Sequence, residues 1–417
     1  MTFISLGLAA ILIASSLLRG TYYPVYQHTI FMLVAVLFII AFTRWGLNGV
    51  GQGIGSITIW VVLLAVVSIS SSLWSAAPIL SVSNIFIYIA FALFQLLFSR
   101  TWQGTVYKHK PGVEFWLLGF AIMGALVSLT GIIGALLQIY PWSMAVDGVI
   151  VASSCLEYPN GLAIYALMAL APTLYLRSIT AGHRERWFIT GLATLQVGGI
   201  LLAFSKTGLL FLAILTVYIF TRMRAGSIRL NHPLIAGGVL VVLASIIFVG
   251  TVNSGGIANL VKWAAFDLTP VNIAGHRLAT WQGSLNAWLD RPWLGWGSGT
   301  YDLIYQGYAL DSIVSHAHNL FLHTGVELGL LGMLLTLALY AYCFRLIWLA
   351  FSLRGEGRVS DLRRALAFSC LVFLVNNLWD FTFFIPAITF LFLAQATMLQ
   401  HLLLPALGGP LFRLFKP

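Results

Sequence analysis

Charge is what this chain has least of. Of its 417 residues only 8% are charged, against 60% hydrophobic, whereas a water-soluble domain carries about a quarter charged residues. So little polar surface cannot cover a chain of this length in water. That excludes an ordinary soluble enzyme and leaves lipid as the solvent. Cysteine is scarce as well. Cys155 lies in a connection, and Cys343 and Cys370 lie in apolar runs. No pair has disulfide or zinc spacing, so neither a disulfide framework nor a zinc site is expected. Acidic residues number 12 against 22 basic ones, a surplus that would suit nucleic acid if it were gathered on one face or arm. It is scattered between apolar runs, as loop anchors are, and no nucleic-acid partner is expected.

What the chain has in abundance is apolar sequence. A membrane span needs about 20 mostly apolar residues, and twelve candidates occur, at roughly 2–18, 29–43, 57–74, 79–98, 113–139, 160–176, 187–204, 207–221, 233–252, 320–350, 364–379 and 384–404. Helices are the default, because an open strand edge cannot be satisfied in hydrocarbon. The first span has no basic segment before it and no clear cleavage site after it, so it reads as a retained helix. With the N-terminus in the cytoplasm, 17 of the 22 basic residues fall on the cytoplasmic side, leaving Arg19, Lys206, Lys262, Arg277 and Arg291 outside. That asymmetry is the positive-inside rule, and a one-span error would scramble it. The expected fold is an all-α integral membrane protein of about 12 transmembrane helices, N-in and C-in. It divides into helices over 1–252, an extracytoplasmic loop over 253–319, and helices with a cytoplasmic tail over 320–417.

Long connections without spanning character are usually functional. Within this one, Leu278, Trp281, Leu285, Trp288 and Leu289 recur at helical spacing, predicting an amphipathic helix stopped by Asp290-Arg291-Pro292. It suits the bilayer interface and equally a lid over an embedded site. Five polar features collect on the same outer side: Glu157-Tyr158-Pro159-Asn160-Gly161, Ser205-Lys206-Thr207-Gly208, Arg277, Ser315-His316-Ala317-His318-Asn319 and Trp379-Asp380-Phe381. Lys206 sits between two apolar runs, where a cation calls for an anionic ligand or snorkels to the interface. His316 and His318 could chelate a metal, but in extended chain their rings point to opposite sides and no third ligand is evident. A general base suits His318 better, since imidazole changes protonation near neutral pH. An idle interfacial histidine is the plainer alternative. Gly295-Trp296-Gly297-Ser298-Gly299 follows no strand and faces the side that lacks nucleotides, so it reads as a tightly packed turn.

These residues resemble the O-antigen ligase and O-antigen polymerase superfamily of bacterial envelope glycosyltransferases. The resemblance is carried by Tyr158-Pro159-Asn160-Gly161-Leu162-Ala163, Phe204-Ser205-Lys206-Thr207-Gly208 and Arg277-Leu278-Ala279-Thr280-Trp281. It continues through Asp290-Arg291-Pro292-Trp293-Leu294-Gly295-Trp296-Gly297 and His316-Ala317-His318-Asn319-Leu320-Phe321-Leu322 to Gly325-Val326-Glu327-Leu328-Gly329-Leu330-Leu331-Gly332. The ordered set spans about 155 to 332.

The resemblance implies a GT-C-like fold and a transferase needing neither metal nor cofactor, set among membrane lipids in the bacterial inner membrane. Its site would face the periplasm or cell exterior. The donor would be a glycan on undecaprenyl diphosphate, and the acceptor a sugar hydroxyl on lipid A core or on a second lipid-linked glycan. His318 matches the histidine proposed to activate that hydroxyl. Arg277 matches the loop arginine, and Lys206 stands where arginine is common; both would face the leaving diphosphate. Asn319, His316, Asn160 and Tyr158 would bind substrate, as would Asp380 if it matches an acidic residue of the late hairpin. Lysine keeps the charge but loses the bidentate fork. In the long loop Lys262, Arg277 and Arg291 face Asp267, Asp290, Asp302 and Asp311. A phosphorylated core calls for a more basic vestibule, and this balance leans toward polymerase. Span count alone would also fit a lipid-linked oligosaccharide flippase, but the internal repeat and deep charges of a transporter are lacking. An acyltransferase would need its donor on the other side.

Overall fold

The computed structural model describes residues 3–51, 54–106, 112–146, 149–224, 277–353, 355 and 357–407. Eleven of the twelve apolar runs fall on helices within them. The run at 233–252 and the loop segment 253–276 lie outside the described residues. In chain order the helices are α1 (Phe3–Leu17), α2 (Pro24–Gly51), α3 (Ser56–Ser71), α4 (Pro78–Val106), α5 (Gly112–Leu137), α6 (Pro159–Ile179), α7 (His183–Leu202) and α8 (Lys206–Arg224). After the undescribed segment come α9 (Arg277–Asp290), α10 (Tyr301–Tyr305), α11 (Leu320–Ser352), α12 (Arg358–Asn376) and α13 (Pro386–Leu407). A short antiparallel hairpin, β1 (Ser143–Val146) with β2 (Val149–Ala152), caps the connection before α6.

Among the described residues, six helical segments are long and apolar enough to cross a membrane: Pro24–Gly49, Pro78–Gln103, Gly112–Leu137, Pro159–Ile179, Leu320–Ser352 and Pro386–Leu404. Helices α1 and α3 are apolar but have 15 and 16 residues, about 24 Å at 1.5 Å per residue against a hydrocarbon core of about 30 Å. Large apolar side chains face outward along several helices, with Val36 51%, Ile39 60%, Leu331 53% and Leu334 49% exposed. Bands of this kind mark a lipid-facing surface.

The hydrophobic effect cannot drive helices together in lipid, so small residues and buried polar pairs hold the bundle. Helix α6 is at its centre, buried continuously from Gly161 to Pro172 and packed on α5, α7 and α12. Gly124 of α5 lets α6 approach so closely that an added Cβ would meet the Ala169 Cβ at 2.4 Å. Gln196 of α7 donates to the Ala121 carbonyl at 2.9 Å and to Thr173 Oγ1 at 3.2 Å. Gln95 of α4 donates to Thr397 Oγ1 of α13 at 2.6 Å.

The run 320–350 reads as one span, but α11 is broken at Gly329, whose φ of +66° is outside the helical range. A break strands backbone groups that need partners, and the segment after α9 supplies them. Leu330 N donates to the Pro292 carbonyl at 2.7 Å, Trp296 N to the Val326 carbonyl at 2.9 Å, and Gly297 N to the Glu327 carbonyl at 2.8 Å. Both glycines at this junction are required by contact, since a Cβ on Gly295 or Gly329 would strike backbone at 2.5 or 2.3 Å. Two separate motifs are thus one structural unit, which docks α9 and α10 onto the N-terminal part of α11.

Helix α9 does run from Arg277 to Asp290, but it packs through Thr280, Gly283, Ser284 and Ala287. Leu278, Leu285 and Leu289 of the predicted apolar stripe are 55%, 40% and 57% exposed. These leucines face away from the protein, as on an interfacial helix, whereas Trp288 of the same stripe packs inward against the cluster of Tyr301, Tyr305 and Val326.

Candidate active site

The polar features meet around Asp380, in the connection between α12 and α13. Its carboxylate is 1% exposed. A buried charge must be held by donors, and here Oδ1 accepts from the Tyr158 hydroxyl at 2.5 Å and from Phe381 N at 2.8 Å. The ring nitrogen Nδ1 of His318 stands 3.6 Å from the same oxygen, an ion-pair distance too long for a hydrogen bond. Asn160, on the first turn of α6, donates to the Tyr158 hydroxyl at 3.2 Å. Tyr158 is the N-cap of α6, and its ring packs on Phe381 with centroids 4.6 Å apart. Burial and the Asp380 charge drive its phenol well above the ordinary value, while the Arg277 charge pulls the other way. Tyr158 therefore holds its proton and donates it to Asp380, with Arg277 close enough to be felt there.

Arg277 and Lys206 approach this site differently. The Arg277 Nε is buried without a hydrogen-bond partner among the described residues, a costly state for a cation unless an anion completes it. Lys206 opens α8 and is exposed. Its turn is tied to the Asp380 connection, because Trp379 Nε1 donates to Thr207 Oγ1 at 3.1 Å.

The histidine pair departs from its expected geometry. In extended chain the rings would diverge, but His318 has φ +49°, and this left-handed step brings both onto Phe381. His316 stacks on that ring at 4.4 Å and 22°, and His318 meets its edge at 5.1 Å and 77°. Burial, then the neighbouring His323 and His318, lower the His316 pKa well below the usual imidazole value. His316 is thereby held as a neutral aromatic surface. Among the described residues no group of three or more His, Cys, Asp or Glu side chains is arranged to hold a metal ion.

Asn319, expected to bind substrate, has both ends of its amide engaged. Its Oδ1 accepts from Leu322 N at 3.0 Å, capping α11, and its Nδ2 donates to the Leu378 carbonyl at 2.9 Å. Its evident work is to fix the His318 backbone against the Asp380 connection. Sequence reading passed over His323 and Glu327 as possible site residues. Both are buried, with His323 Nε2 3.3 Å from Glu327 Oε1. Their i, i+4 spacing inside an apolar helix was the available signal.

Two cavities flank this cluster and share Tyr22 and Tyr23 as a wall. One, of about 200 Å³, is bounded by Glu157, Tyr158 and Phe381, and the other, of about 300 Å³, by His316, His323 and Glu327. No curated protein matches the chain. A family model described as O-antigen ligase matches residues 191–337, a stretch that holds Lys206, Arg277, His316, His318 and Asn319 and leaves Tyr158, Asn160 and Asp380 outside it. Together with its candidate membrane-spanning helices and ordered motifs, this match supports the resemblance to the O-antigen ligase and polymerase superfamily.

Proposed function

We propose that the protein transfers a glycan from undecaprenyl diphosphate to an acceptor sugar hydroxyl at the outer face of the bacterial inner membrane, without a metal ion. The observation that carries this reading is the pairing of His318 with buried Asp380. A carboxylate behind one imidazole nitrogen orients the ring and stabilises its protonated form, leaving the other nitrogen to act on substrate. In the reaction the acceptor oxygen attacks the anomeric carbon, its proton passes to His318 Nε2, and the bond from that carbon to the diphosphate oxygen breaks. The electron pair leaves with undecaprenyl diphosphate. Cations in a water-poor site stabilise that charge, and Arg277, whose Nε has no hydrogen-bond partner among the described residues, and Lys206 are assigned to it. The shorter apolar helices cross the membrane too, giving about twelve spans with both termini inside.

Deletion of the gene in its host distinguishes the two forms of the activity. Shortened chains identify a polymerase, and full-length polymer left unattached to lipid A core identifies a ligase. Unchanged envelope glycan would overturn the reading.

Two further outcomes follow. All three cysteines are buried, so single added cysteines report topology against a low background. Leu310→Cys should react with an impermeant thiol reagent in intact spheroplasts and Gly355→Cys should not; reversed labelling moves the site to the cytoplasm. Because Arg277 and Lys206 take the charge role that metals fill elsewhere, the purified protein should keep its transfer activity in EDTA. Loss in EDTA with rescue by a divalent ion would restore a metal role.

A further inference from the structure

The cavity of about 300 Å³ is not needed to hold the diphosphate, and its lining argues against one. Among the described residues no lysine or arginine contributes to it, whereas Asp302 and Glu327 both do. Two carboxylates without a cation disfavour any anionic occupant. Its volume is at the lower end for small-molecule sites, which run from about 300 Å³ upward. The remaining lining combines ring surfaces, Tyr22, Tyr23 and His316, with the amide of Asn84. Tyr88 also lines it, 5% exposed, and its hydroxyl has no hydrogen-bond partner among the described residues. A buried hydroxyl without a partner is destabilising, so a ligand that reaches it with a hydrogen-bonding group is favoured here.

Flat rings beside carboxylates, an amide and a buried hydroxyl match one ligand chemistry well. A sugar ring offers an apolar C–H face for the aromatic surfaces and several hydroxyl donors for the acidic oxygens. Glu327 is held ready for this, with Oε1 fixed by Tyr301 N at 3.1 Å and by His323. A carboxylate retained in an apolar helix marks function by default. The segment Ser315-His316-Ala317-His318 leads from the cavity lining to the Asp380 pair.

We infer that this cavity binds an uncharged sugar ring of the acceptor glycan, holding it beside the base. The inference rests on the transferase reading for the word acceptor, but binding itself can be measured without turnover. The probe is the oligosaccharide released by mild acid from the host's own lipid-linked glycan, added to the full-length protein in nanodiscs and followed by saturation-transfer NMR. Saturable binding is expected, unaffected by His318→Ala and not displaced by pyrophosphate. Asp302→Ala should weaken it roughly tenfold, and Tyr88→Phe, which keeps the ring, several-fold. Absence of saturable binding, equal binding by both variants and wild type, or displacement by pyrophosphate would each overturn the inference. A transfer assay separates the two readings. If wild type transfers glycan and Asp302→Ala leaves the acceptor KM unchanged, the cavity assignment fails and the transferase stands. If the oligosaccharide binds as expected but wild type transfers nothing, the sugar site survives and the transferase reading fails.

Discussion

His318→Ala should abolish glycan transfer in a protein that still inserts and still binds the lipid-linked donor. A sugar hydroxyl is a weak nucleophile, and a positioned base contributes about 10²–10⁴ in rate. The variant removes that base and strands Asp380, which then keeps Tyr158 and Phe381 N as donors but has no ring to orient. His316→Ala should do much less to turnover, because His316 offers its ring face to Phe381 and not a nitrogen to Asp380. Asp380→Asn tests the pairing from the other side. The amide retains the size of the carboxylate but no longer stabilises a protonated ring, so kcat should fall with donor affinity unchanged. Tyr158→Phe, which removes one of the donors to Asp380, should fall between wild type and Asp380→Asn. The measurement is single-turnover transfer alongside donor binding. Near-normal turnover in His318→Ala would make the residue structural, and loss of donor binding would assign it to the diphosphate.

The contrast between what was legible and what was not has a physical pattern. Lipid imposes a length and a composition on anything that crosses it, so the runs at 79–98, 113–139 and 160–176 stand out and fall on α4, α5 and α6. Local chemistry was legible too: a helix does run up to Asp290, and Asp290-Arg291-Pro292 does stop it. Contacts between distant segments were not. Tyr158 and Asp380 are 222 positions apart, and nothing in a single chain announces that one donates to the other. The break at Gly329 was hidden for a related reason, since an apolar run with one glycine reads as continuous until the partner of its freed backbone groups is known. Asn319 could cap a helix or bind a ligand, and its contacts with Leu322 N and the Leu378 carbonyl could not be read from the sequence. The divergence expected of His316 and His318 assumed extended chain, which the left-handed φ of His318 removes.

Substitutions at Lys206 and Arg277 separate charge from geometry. If the diphosphate needs only a cation at the start of α8, Lys206→Arg should retain most of the activity, because the guanidinium preserves the charge and adds donors. Lys206→Met keeps the apolar stem and removes the charge, and should lose transition-state stabilisation of roughly 2–4 kcal/mol, the typical cost of deleting one preorganised donor to a developing anion. Arg277→Met should lose a similar amount. Arg277, whose Nε has no hydrogen-bond partner among the described residues, should also tolerate lysine poorly, because lysine cannot reproduce a guanidinium's fixed donors. Were the cations independent, the losses in the double variant would add. Two cations on one diphosphate share a ligand, so the double variant should lose less than the sum. The assay is kcat/KM for transfer at matched expression, with circular dichroism to confirm that each variant keeps its helices. A snorkelling Lys206, whose ammonium serves only to reach the interface, predicts the opposite: Lys206→Met would insert at least as well and turn over normally. Full activity in that single variant would remove Lys206 from the site and leave Arg277 to hold the leaving group alone.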